Sequence, residues 1–526
     1  MTVSANRRDD RETASEKYDL QTAAAMGTNG QYAAPRTPEQ LIGAAGMGSG
    51  RRPARGHGYE QRGLAYLPSS PSYEGRFGRM FRLPPYLPDA DRIAEVAALM
   101  TESGPGVDNP GIPAGYTYLG QFLDHDITFD PTSSLDRQND PDALTDFRTP
   151  RFDLDSVYGR GPNDDPFLYE KASGGTRLLI GHHDDEDDLP RNSEETALLG
   201  DPRNDENIFV SQLHLTMLKF HNAVLDQVTP ADRRGSETDF EAAQRIVRWH
   251  YQWMVLHDFL PRVVGADTLR TVFDDSSGLP VVNRRFYTWR NAPYMPVEFS
   301  VAAYRFGHSM IRPGYKLNTF VPPLPIFTAD PVPDHRLSSF GGFRILPPLW
   351  TVEWRRFFEV AGAGDGAVQL SRAIDAKLAG PLAALPPSVA SHPASLIARN
   401  LTRGARLSLP SGQAVARHLG VPVLTEDELG LSGPAPLWYY ILKEAEVRAG
   451  GRHLGEAGGL IVAEVFLGLL EKDPSSYLRN DPLFRPFLGA TAGEFGMPDL
   501  ITVAGHGLGV VAPPPRPPVP VPAPPA

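Results

Sequence analysis

Gln121-Phe-Leu-Asp124-His125-Asp126 places an amide, an imidazole and two carboxylates within six consecutive residues. Wound as a helix, Gln121 and His125 stand at i and i+4 on one face, with Asp124 beside them at i+3. A neutral imidazole in that setting can take up a proton and return it near neutral pH. The flanking carboxylates suit a cofactor or a cation. Four later stretches offer matching chemistry: Asp153-Leu-Asp155-Ser-Val-Tyr-Gly159, Arg203-Asn-Asp-Glu206, Arg305-Phe-Gly-His308 and Asn400-Leu-Thr-Arg403.

Around these stretches the strongly periodic segments are helical. Phe209, Leu213, Met217, Phe220 and Val224 recur at steps of three and four and predict a helix from Asp205 to Val228. A second runs from Phe240 to Leu260, with Pro261 as its expected stop, and a third from Glu298 to Ile311, ahead of Pro313. Thr351–Val360 and Pro436–Ala449 predict two more. Strand signals are short, as at Arg177–Ile180 and Leu500–Val503. The expected class is mainly α: one large helical domain with few short strands, and long ordered loops implied by 52 prolines and 50 glycines. Residues 1–70 read as a flexible N-terminal arm. Residues 512–526 read as a Pro-rich disordered tail in extended polyproline conformation, with a protein contact as its sharper role.

In their order along the chain, the five stretches resemble the distal, calcium, arginine, proximal and asparagine elements of the animal-type haem peroxidases (the peroxidase–cyclooxygenase superfamily), as in a bacterial-like member. The resemblance spans roughly Tyr73 to Ala504 and implies a haem peroxidase domain over residues 71–511. It implies haem b with His308 as the iron's axial ligand, Asn400 hydrogen-bonded to that imidazole's other nitrogen, and Arg305 and Arg403 as propionate-binding arginines. His125 is then the general base and acid acting on hydrogen peroxide, Arg203 the cation beside the breaking O–O bond, and Gln121 the holder of a distal water or halide. Asp124 and Glu206 match the carboxylates that form ester bonds to the haem periphery. Thr149, Asp153 and Asp126 match the Ca2+ loop, with the carbonyls of Thr149 and Arg151 expected to join them, and Asp155, which stands where several relatives have Ser, adds a further carboxylate for a hard cation.

Asn207 departs from relatives that carry a methionine able to form a sulfonium link. The departure implies a milder oxidant, one that takes bromide, iodide, thiocyanate or small aromatic donors by way of a ferryl intermediate. Two other readings stand beside it. The first is a fatty-acid dioxygenase of the same superfamily, which needs a radical-forming tyrosine three residues before the proximal histidine. Arg305 occupies that place and Tyr304 lies one residue further back. The second is a non-catalytic, calcium-stabilised adhesion scaffold.

Bulk properties exclude several classes. The formal net charge of -12 offers no basic stripe for nucleic acid. With no cysteine in the chain, disulfides, iron–sulfur clusters and thiolate-ligated haem are ruled out. No apolar run is long enough to span a membrane. No N-terminal signal is seen, so the expected location is cytoplasmic, or exported without a cleavable signal. The tract His182-His183-Asp-Asp-Glu-Asp-Asp188 reads as a solvated acidic loop rather than a metal site.

Overall fold

Asp89 accepts a hydrogen bond from the Arg92 N–H at 2.8 Å, and this cap opens the first described helix, α1 (Ala90–Met100). The computed structural model describes residues 75–128, 146, 150–183, 186–289, 292–328, 339–360, 368–387, 389–390 and 393–505. The N-terminal arm, the Pro-rich tail and Thr149 lie outside these residues. The expected mainly-α class is what the chain adopts. The described strands form only two-stranded pairs, among them Asp108–Pro113 antiparallel to Leu370–Arg372.

The stretch from Gln121 to Asp126 lies in α2 (Gly115–Ile127), which is buried along most of its length. The Gly115 N–H donates to the Phe357 carbonyl at 2.9 Å. A Cβ at Gly115 would sit 2.4 Å from the Phe358 ring, so only glycine lets the helix start this close. A one-turn helix, α3 (Asp155–Tyr158), follows Leu154, which holds a left-handed φ of 58°. The helix expected from Asp205 is α4 (Ile208–Leu225). The Asn207 side chain caps it by accepting from the Val210 N–H at 3.0 Å, and a 3₁₀ turn, Pro202–Asp205, precedes it.

The Phe240–Leu260 segment is α5 (Asp239–Met254), opened by a reciprocal Thr238–Glu241 capping box. Here Pro261 does not stop the chain. A π turn, Val255–Phe259, leads into a further helical stretch, Leu260–Val264, whose first turn holds Pro261. An N–H has no intrahelical partner at that position, so proline is tolerated, and Gly265 at φ 80° ends the run.

Glu298–Ile311 is not one helix. It splits into α6 (Val297–Ser300) and a 3₁₀ turn, Ala303–His308. Arg305 Nε donates to the Ser300 carbonyl at 3.1 Å and the Tyr304 hydroxyl to the Gly120 carbonyl at 3.1 Å. These bonds draw the chain tighter than α geometry.

Thr351–Val360 forms only a 3₁₀ turn at Trp354–Arg356, with the Phe357 carbonyl committed to Gly115. Leu500–Val503, expected as strand, lies inside a helix, Met497–Val503, whose start is fixed when the Gly496 N–H donates to Asp499. Arg177–Ile180 gives only an isolated bridge from Leu178 to Tyr169.

The remaining site-bearing helices are α7 (Leu396–Arg406), capped by Ser395, α8 (Leu437–Ala449), which matches its expectation, and α9 (Glu456–Lys472). Helix α9 is almost wholly buried. Its Phe466 ring meets Phe152 at 4.9 Å, Tyr304 at 5.3 Å, Phe299 at 5.8 Å and Phe259 at 6.2 Å. One side chain therefore ties together the acidic loop, the π turn and the turn that carries His308. Among the described residues no helix is long and apolar enough to cross a membrane.

Candidate active site

Helix α2 presents Gln121 and His125 to the 3₁₀ turn and cap that open α4. His125 Nδ1 donates to Asn204 Oδ1 at 2.8 Å, so the ring proton sits on Nδ1 and Nε2 is the acceptor nitrogen. Glu206 Oε1 lies 3.6 Å from that Nε2. The Gln121 amide donates to the same Glu206 carboxylate and accepts from Asn207 Nδ2 at 3.1 Å. Burial pushes the Glu206 carboxyl up to about 7, with the Asp124 charge adding and the Arg203 charge opposing. Asp124 is also raised, first by burial, and accepts from the Thr128 hydroxyl at 3.1 Å.

Arg203 lies in this group, held by three anchors. Its guanidinium donates to Asp201 at 2.8 Å, to the His125 carbonyl at 3.1 Å and to the Thr128 carbonyl. The structure thus brings Gln121, Asp124, His125, Arg203 and Glu206 together. The sequence reading missed Asn204, whose Nδ2 donates to His214 Nδ1 at 3.0 Å. Asn204 lies inside the Arg203–Glu206 stretch but carried no role there, and His214 on the next helix belongs to no motif.

On the other side of the site, the 3₁₀ turn stacks Arg305 and His308 three residues apart on one edge. Both meet Asn400 of α7. Arg305 Nη1 donates to Asn400 Oδ1 at 3.1 Å, and Asn400 Nδ2 donates to His308 Nδ1 at 2.8 Å. Burial, then the Arg305 charge, lowers His308 to about 3, which keeps its imidazole neutral and able to bind a metal. The Trp438 indole packs edge-on to His308 and donates to the Arg305 carbonyl at 3.2 Å. A Cβ at Gly307 would meet nothing within 4 Å, so the flank of His308 is open. Arg403 follows Asn400 by three residues and shares its helix face.

Beneath α2, the carboxylates of Asp126, Asp153 and Asp155 lie within 4.8 Å of one another, all buried. Asp126 Oδ2 accepts from the Tyr251 hydroxyl at 3.0 Å and the Leu154 N–H at 3.3 Å. Burial, then the charges of Asp155 and Asp153, drives its carboxyl well up. Three buried carboxylates this close repel one another, and a hard cation relieves that strain. Arg151 lies in the same turn. Among the described residues this is the one acidic or imidazole group close enough to hold an ion. The His182–His183 tract forms a small hairpin with Glu186–Asp188.

Residues 136–324 match the family described as animal haem peroxidase. That match includes the acidic loop, Arg203, Glu206, Arg305 and His308, while Gln121–Asp126 and Asn400 fall outside it. Thyroid peroxidase of Mus musculus is 25% identical over 209 residues, which are 36% of this chain. The alignment covers 21% of that relative, so the chain spans about a fifth of its length. Among solved structures, peroxidase A of Dictyostelium discoideum gives a TM-score of 0.55 at 16% identity, covering 80% of this chain and 93% of that one. The fatty acid alpha-dioxygenase of Oryza sativa gives the same TM-score and identity, covering 82% and 80%. These likenesses place the fold with the helical peroxidases and dioxygenases. Over residues 136–324 the chain is thus similar to the animal haem peroxidases, a family whose description implies a haem cofactor.

Proposed function

We propose that this chain is a haem peroxidase that reduces hydrogen peroxide and oxidises bromide, iodide, thiocyanate or a small aromatic donor. The observation that supports it most is the convergence of His125, Gln121, Arg203 and Glu206 where α2 meets the turn that opens α4. The residues fit haem. Gly307 leaves an open flank, His308 is held neutral, and Asp124 and Glu206 stand as carboxyls able to form esters with the haem edge. Haem, when bound, supplies the redox centre for O–O cleavage.

His308 would ligate iron through Nε2, which requires the ring proton on Nδ1 and hence the Asn400 oxygen turned toward it. Arg305 then gives up its bond to that oxygen, and its guanidinium becomes available to a haem propionate, with Arg403 as the second such group. Across the site, His125 Nε2 accepts a proton from peroxide and delivers it to the departing oxygen. Arg203 stabilises the negative charge that builds on that oxygen. Two electrons from the donor and two protons complete the conversion of peroxide to two waters. Gln121 holds a distal water or halide. The Asn207 amide is occupied in holding Gln121 and capping α4, and it has no sulfur for a sulfonium link. The milder donors above are therefore favoured over chloride. The acidic trio, with the carbonyls of Thr149 and Arg151, would hold Ca2+ and fix the end of α2 next to His125.

The dioxygenase reading finds less support. In the 3₁₀ turn, Tyr304 lies about 120° around from His308. It is buried, and its hydroxyl donates to Gly120. The test is an optical spectrum before and after peroxide, followed by acid–acetone extraction. A Soret band that shifts with peroxide, and haem that stays with the protein on extraction, are the expected results. Failure to take up haem would overturn the catalytic reading in favour of a scaffold.

A further inference from the structure

Asn204 is fully buried, and its one amide touches two imidazoles. Its Oδ1 accepts from His125 Nδ1 at 2.8 Å and its Nδ2 donates to His214 Nδ1 at 3.0 Å. His214 is itself buried on α4, with the Phe122 ring of α2 edge-on at 6.3 Å. Burial lowers His214 to about 3, so its ring stays neutral, and the Asn204 amide nitrogen facing it makes Nδ1 the acceptor. An amide cannot offer its oxygen to both rings. As long as His214 Nδ1 accepts, Asn204 must face His125 with oxygen, and His125 must carry its proton on Nδ1.

We propose that Asn204, oriented by His214, is a positioning residue that fixes the tautomer and ring orientation of His125, holding the Nε2 lone pair toward the reacting oxygen. This inference rests on the reading of His125 as the distal base. A carboxamide suits the task because it transmits the constraint without adding charge. The backbone helps, since the Asn204 N–H donates to the Asp201 carbonyl at 3.1 Å and holds the residue in its 3₁₀ turn. Arg203 precedes Asn204 directly, so one turn supplies both the cation and the orienting amide.

The test uses the haem-loaded chain and the association rate of hydrogen cyanide. Cyanide binds as the anion after giving its proton to the distal base, so the rate reads His125 without peroxide turnover. Asn204→Leu keeps the volume and removes both polar contacts, and it should slow association about 10- to 100-fold with haem content unchanged. Asn204→Asp should restore the rate to within about threefold, because a carboxylate still accepts from His125 Nδ1 while His214 moves its proton to Nδ1. His214→Leu, which leaves Asn204 in place but frees its amide to turn, should slow association in the same direction.

Equal slowing by Leu and Asp at position 204 would mean a packing role and would overturn the proposal. So would a wild-type rate in Asn204→Leu when His125→Leu is slow, and in that case the peroxidase reading survives. A wild-type rate in His125→Leu itself would remove both.

Discussion

The Tyr304 hydroxyl donates to the Gly120 carbonyl at 3.1 Å, tying the turn that carries His308 to the helix that carries His125. Tyr304 is a strut between the two halves of the site. Tyr304→Phe should cost about 1 kcal/mol of stability, seen as a small drop in the thermal midpoint. Peroxide-driven donor oxidation should stay within about threefold of the parent, well short of the loss expected for an essential group. Loss of oxygen uptake on a fatty acid in the same variant would instead establish Tyr304 as a radical site and restore the dioxygenase reading.

His308→Ala should abolish stable haem retention, since among the described residues no other imidazole contacts Asn400. Haem per chain after gel filtration is the measurement. Asn400→Ala should retain haem more weakly, by about 10- to 100-fold in affinity.

Removing the cation should loosen the floor of the site. A chelator is expected to lower the thermal midpoint, and Ca2+ at about 100 times its dissociation constant should restore about 2.7 kcal/mol. Asp126→Asn should abolish that response. Metal content by elemental analysis provides the control, and a chelator-insensitive midpoint in protein shown to have lost its ion would rule the site out as a stabilising one.

Asp124 lies close enough to Glu206 for its charge to raise that carboxyl, and the separate contributions of the two to the proposed haem attachment can be read by extraction. Glu206→Gln and Asp124→Asn should each leave one attachment. The double variant should release all its haem into acid–acetone, and haem that stays bound in the double variant would exclude ester links through these two carboxyls.

His221 offers a pH test away from the site. It is buried between the Tyr158 hydroxyl and the Thr176 carbonyl, and burial lowers it to about 4 from its ordinary 6.5. The unfolded chain therefore binds a proton there that the folded chain refuses, and stability falls as pH drops from about 6.5 to about 4. His221→Gln removes this contribution. Between pH 7 and pH 5 it should lose about 2 kcal/mol less than the parent, measured by urea unfolding.

Helices α4 and α8 were legible because a single apolar period runs through each. The grouping of side chains was legible where residue types cluster, at Gln121–Asp126, Arg203–Glu206 and Arg305–His308. The turn at Ala303–His308 was not, because its tight geometry comes from Tyr304 reaching Gly120, a residue far away in sequence. The helical stretch past Pro261 was hidden because a proline reads as a stop unless the chain has already re-entered a first turn. Leu500–Val503 has the composition of a strand, but the cap at Gly496–Asp499 decides otherwise. Asn204, though inside the Arg203–Glu206 stretch, and His214 drew no role from sequence, since their contact exists only once α2 and α4 pack together.

Gly200 has no Cβ, and one placed there would lie 2.5 Å from the Ser156 carbonyl and 2.6 Å from the Asp155 carbonyl. The segment leading to Arg203 therefore packs directly against the backbone of the acidic loop. A side chain at position 200 would have to push the two apart, so this one glycine couples the spacing of the acidic trio to the placement of the arginine turn.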